Sequence, residues 1–98
     1  MRPSQPYAEV TEHFALIGQV GSAVFPVWIS RHAARLGLEL RLLAHNVTQF
    51  DMIVSGPPDL LDAMALACSL GPQEVWVDQV DRHRANDLLD VESSSPAA

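Results

Sequence analysis

Residues 38–55 read Leu38-Glu39-Leu40-Arg41-Leu42-Leu43-Ala44-His45-Asn46-Val47-Thr48-Gln49-Phe50-Asp51-Met52-Ile53-Val54-Ser55. Leu38, Leu40 and Leu42 alternate with Glu39 and Arg41; Phe50, Met52 and Val54 alternate with Gln49, Asp51 and Ser55. A period of two puts successive side chains on opposite faces, so each run is a strand with one apolar and one polar side. His45-Asn46-Val47-Thr48 between them is a short hairpin turn, in which Asn46 tolerates a left-handed backbone.

Each strand is flanked by a helix. On the N-terminal side Pro26 opens one at its first position, where a missing N–H costs nothing. Phe25, Ile29, Ala33 and Leu36 follow helical spacing, with Trp28 and His32 beside them, and Gly37 ends the helix. On the C-terminal side Gly56-Pro57-Pro58-Asp59 closes the strand and starts a helix with Leu61, Met64, Ala65 and Cys68 as its apolar stripe; Gly71-Pro72 terminates it. Outside the helices lie two more strands. Thr11 to Gln19 is rich in strand formers, and the loop from Gly18 to Phe25 follows it. Val75, Val77 and Val80 mark the last strand, where the step from Val77 to Val80 breaks the alternation and signals a bulge or a strand end. The order β-α-β-β-α-β predicts a ferredoxin-like α+β sandwich, a four-stranded antiparallel sheet with both helices on one face. The open face is expected to be polar, carrying Glu39, Arg41, Gln49 and Asp51.

With 98 residues the chain is sized for one domain. We expect a flexible tail over residues 1–8, a domain over 9–86 and a disordered tail over 87–98, which leaves roughly eighty residues for one modest core. The single cysteine, Cys68, excludes an internal disulfide and reads as a small buried apolar side chain. The formal charge is −6, from six arginines, no lysine and twelve acidic residues, which argues against nucleic-acid binding. The apolar stretch from Phe14 to Ile29 falls short of the roughly 20 residues of a membrane span and contains Gln19 and Pro26. Glu9 and Glu12 precede it, so it does not read as a signal peptide, and a cytoplasmic location is expected. His13, His32, His45 and His83 lack metal-site spacing, and no metal or cofactor is expected; His45 is the one placed near the end of the second strand, beside Asn46. Trp28 and Trp76 read as packing residues, and Arg41 as one half of a cross-strand ion pair near Gln49 and Asp51.

Phe25-x-x-Trp28-Ile29-x-Arg31-x-Ala33-x-x-Leu36-Gly37-Leu38 resembles the first helix of an acylphosphatase. Gly56-Pro57-x-Asp59-x-x-Asp62-Ala63 with Gly71-Pro72 resembles that family's second helix and its exit, and Val77-Asp78-Gln79-Val80 its last strand. The likeness runs ungapped from the first strand to His83. It implies the ferredoxin-like fold and metal-free hydrolysis of carboxyl-phosphate anhydrides. In that family a loop reading G-R-V-Q-G-V-G-F-R holds phosphate through its amides and final arginine, and an asparagine at the end of the second strand orients water.

The corresponding loop here is Gly18-Gln19-Val20-Gly21-Ser22-Ala23-Val24-Phe25-Pro26. Gly18, Val20 and Phe25 agree; the arginine position is Pro26, the asparagine position is Ala44, and the family's hairpin Asp-Gly falls on Val47-Thr48. Losing one oxyanion donor costs about 2.7–4 kcal/mol, or about 10²–10³ in rate. The resemblance therefore implies an impaired enzyme serving as a binding or interaction module, with an unidentified protein as its partner. The alternative is an active acylphosphatase with a rearranged site, in which Gln19, Ser22 and the amides of Gly21 to Val24 hold phosphate or acyl phosphate and Asn46 or Gln49 orients water. Arg31 lies more than one turn along the helix, and its expected environment is solvent. No membrane or nucleic-acid partner is expected in either case.

Overall fold

The computed structural model describes residues 9–85; the expected tails, 1–8 and 87–98, lie outside them. The elements are β1 (Val10–Gln19), α1 (Val24–Leu36), β2 (Glu39–His45), β3 (Gln49–Gly56), α2 (Pro58–Leu70) and β4 (Trp76–Arg84). All four strands pair antiparallel, in the order β2-β3-β1-β4. The fold is the ferredoxin-like sandwich. The fully buried residues of the central strands are Phe14 and Leu16 on β1 and Phe50, Met52 and Val54 on β3. They meet Phe25, Ile29 and Ala33 of α1 and Leu61, Met64 and Cys68 of α2. Arg82 ties β4 to the helix side, with Nε 2.8 Å from Glu12 Oε1 and Nη1 3.0 Å from Asp62 Oδ1. Among the described residues, no helix is long and apolar enough to cross a membrane.

Several local expectations are corrected. Helix α1 begins at Val24, not Pro26. Pro26 is its third residue, still in the turn whose N–H groups have no intrahelical acceptor, so the proline remains compatible. Strand β2 continues past Leu42 to His45, and a register shift between Leu42 and Ala44 leaves Leu43 as an extra residue. Leu38, just before this edge strand, is 7% exposed, whereas Leu42 within it is 50% exposed, because an edge position has neighbours on one side only. Asn46 does not adopt a left-handed backbone; no described residue except glycine has positive φ. Its Oδ1 instead accepts from the Thr48 N–H at 2.9 Å and the Gln49 N–H at 3.0 Å, so the side chain itself closes the turn. Strand β4 runs on to Arg84, and its broken alternation is a bulge: Ile17 pairs with Gln79 and Gly18 with Val77, leaving Asp78 extra. Trp76 is exposed rather than packed, with its Nε1–H donating to Asp78 Oδ1 at 2.7 Å.

Candidate functional site

The loop between β1 and α1 is laid against the hairpin turn that joins β2 and β3. The Gly18 N–H donates to Thr48 O at 3.1 Å and the Val20 N–H to Val47 O at 2.9 Å. A Cβ on Gly21 would come within 3.0 Å of Val47 Cα, so the two segments are in direct contact. Val20 is buried in the core and pins the middle of the loop.

Ser22 then closes the loop onto the helix. Its Oγ accepts from the Val24 N–H at 3.2 Å, and its carbonyl accepts from the Phe25 N–H at 3.1 Å. Residues such as serine supply this local cap because a short hydroxyl reaches amides that the first helical turn leaves free. Of the seven residues proposed as a phosphate loop, Gln19 to Phe25, Gln19 is still the last residue of β1, paired with Trp76, and the amides of Val20, Val24 and Phe25 are engaged within the chain. Gly21, Ser22 and Ala23 have amides without a hydrogen bond among the described residues.

The bulge at Leu43 decides which β2 residue meets the loop. Directly paired residues project from the same face of a sheet. Ala44 pairs with Asp51, so it stands on the open face, away from buried Phe50 and Met52. His45 pairs with Phe50 and turns to the helix side. There its ring lies 4.9 Å from the Phe50 ring, and its Nε2–H donates to Val20 O at 2.6 Å. Asn46 has its side-chain oxygen committed to the turn, and Gln49 donates from Nε2 to both oxygens of Asp51, at 3.0 and 3.1 Å. Neither residue contacts the loop through its side chain among the described hydrogen bonds. Sequence reasoning marked His45 for its position but not for this contact; serine two residues before the helix start was the available signal for the cap.

Elsewhere, Arg41 makes no ion pair among the described residues; Asp51 instead accepts from His13 Nε2–H at 3.3 Å. Arg31 is exposed on α1. Trp28 is half-buried, stacked on His32 with ring centroids 4.1 Å apart. The described residues contain no group of three or more side chains suited to hold a metal ion.

The His45 contact gives a first testable outcome. Replacing His45 with Ala removes a partly buried donor and leaves Val20 O without it, at a cost of about 1 kcal/mol. Faster amide exchange at Gly18 and Val20, with the rest of the sheet unchanged, is the expected signature; unchanged exchange there would mean the imidazole does not hold the loop.

No family model matches the sequence, and no curated protein matches it significantly. Solved structures do. The chain is similar to an acylphosphatase from Coxiella burnetii at 18% identity, covering 78% of this chain and 80% of that one, with a TM-score of 0.71. It is also similar to the acylphosphatase from Bacillus subtilis at 15% identity, over 76% and 83% of the two chains, with a TM-score of 0.70. A third likeness is to full-length HypF in its phosphate- and nucleotide-bound form, at 12% identity and a TM-score of 0.71; it covers 84% of this chain but 11% of that one. These likenesses establish an acylphosphatase-like domain by fold.

Proposed function

We propose that this acylphosphatase-like chain is a binding or interaction module that does not turn over acyl phosphates. The observation that carries the proposal is the state of the loop: Val20, Val24 and Phe25 amides are spent internally, and Pro26 offers neither a guanidinium nor an N–H. Phosphoryl transfer depends on charge neutralisation and positioning, and here the loop's own residues supply little of either. Among the described residues, the two side chains nearest it on the β2–β3 turn are already committed: His45 holds Val20 O and Asn46 closes its own turn.

Hydrolysis of benzoyl phosphate by the unmodified protein tests this. Background rates are expected; a kcat in the ordinary range of about 1–10³ s⁻¹ would overturn it. The Pro26→Arg/Ala44→Asn variant is expected to gain less than about 10²-fold, the value of one good oxyanion donor. Asn at position 44 would stand beside Asp51 on the open face, whereas the helix side at this end of β2 is occupied by His45.

One observation favours a second reading, weak anion binding without turnover. The three uncommitted amides, Gly21 to Ala23, lie at the start of a thirteen-residue helix. Inorganic phosphate at millimolar concentration would then shift the amide resonances of residues 21–23, and no shift would remove this reading.

A further inference from the structure

The two edges of the sheet are finished differently. Along β4 the charged side chains are used within the chain: Asp78 accepts from Trp76, Asp81 from Gln79, and Arg82 bridges Glu12 and Asp62. On β2 neither Glu39 nor Arg41 has an ion pair or a side-chain hydrogen bond among the described residues, and both are exposed. Like β4, the strand carries neither lysine nor proline, and its bulge at Leu43 lies near its C-terminal end, leaving Glu39 to Leu42 regular. Leu42, half exposed, lies on the same face as buried Leu38 and partly buried Leu40.

We propose that β2 is a self-association edge, pairing antiparallel with β2 of a second copy about a two-fold axis through Leu40. Opposed residues in a sheet must share a face, which leaves few two-fold registers. Centred on Leu40, Glu39 opposes Arg41 of the second copy on the open face, twice by symmetry. On the helix side Leu40 opposes Leu40, and Leu38 opposes Leu42. Centred on Arg41, two guanidinium groups would face each other. Centred on Leu42, the bulge places Ala44 on the wrong face to oppose Leu40. Charge and apolar pattern together select the Leu40 register. This goes beyond the interaction-module proposal by naming the partner. It is independent of turnover, so loss of self-association and appearance of hydrolysis are separate results.

The paired segment is short, so association belongs to the weak class, with a dissociation constant between about 10 µM and 1 mM. Sedimentation velocity of the full chain in about 0.15 M salt, where charge beyond about 8 Å is screened, should show mass rising from that of the 10.7 kDa monomer toward a dimer over that range. Glu39→Arg alone sets Arg against Arg, and Arg41→Glu alone sets Glu against Glu. Each should weaken association about tenfold or more. The Glu39→Arg/Arg41→Glu double variant restores opposite charges and should recover it to within about threefold. A mixture of the two single variants should form a mixed dimer for the same reason. These exposed changes leave the core untouched, and unchanged far-UV circular dichroism confirms the fold. A monomer throughout the range overturns the proposal, and so does a dimer indifferent to the single changes or not rescued by the double change.

Discussion

Raising the pH from 9 to 12 should remove about 3 kcal/mol of folding stability through one residue, Cys68. The thiol is fully buried on α2 among Leu61, Met64 and the sheet, and burial pushes its pKa from 9.0 up to about 12. The unfolded chain loses this proton first, because only there is the thiolate hydrated. A folded-state pKa above the unfolded value contributes stability that is complete below pH 9. That stability is lost as pH rises toward the folded value. The loss approaches about 1.4 kcal/mol per pH unit inside the window. The composition isolates the effect: the chain has no lysine and a single tyrosine, so few other groups titrate there. Urea unfolding at pH 8 and pH 10.5 should show the fall in the unmodified protein and a flat profile in Cys68→Ala. The same burial predicts negligible reaction with a disulfide reagent at pH 8 until the protein unfolds. Equal pH profiles for the two proteins would mean that the thiol is not desolvated.

The element order was legible because an open-faced antiparallel sheet writes a period of two into its strands. Phe50, Met52 and Val54 are buried where the alternation put them. Leu42 was not, because alternation reports which face a residue uses but not whether a neighbouring strand or helix covers it. The bulge at Leu43 left no mark either; Leu43 and Ala44 are both apolar and carry no glycine or polar interruption. That one inserted residue puts His45, not Ala44, in contact with the loop. The bulge at Asp78 was legible because it broke a run of valines. Helix α1 started two residues early for a related reason: proline signals a first turn strongly, while the cap from Ser22 depends on backbone geometry. The loop's composition was therefore readable as a departure from the acylphosphatase pattern, but the internal uses of its amides were not.

Gly18→Ala should destabilise the protein by about 2–4 kcal/mol, combining backbone strain with an overpacked contact. Gly18 ends the regular pairing of β1 with β4 and begins the loop, and it has φ +156°. A Cβ there would lie 2.2 Å from Trp76 O and 2.9 Å from Asp78 N. Both obstacles are backbone atoms of the facing bulge, so no side-chain rotation relieves them. The chain must either open the bulge at Asp78 or lift the loop off Thr48 and Val47. For a domain of this size the melting temperature should fall by about 10 °C or more. Gly37→Ala separates contact from conformation. Gly37 has φ +71°, but nothing lies within 4 Å of its Cβ position, so only the left-handed penalty of about 1–2 kcal/mol applies. If Gly18→Ala costs no more than Gly37→Ala, the bulge yields freely and β4 does not clamp the loop. If it costs more, and amide exchange at Val20 rises with it, the closed state of the loop is set by the β1–β4 pairing as well as by Ser22 and His45.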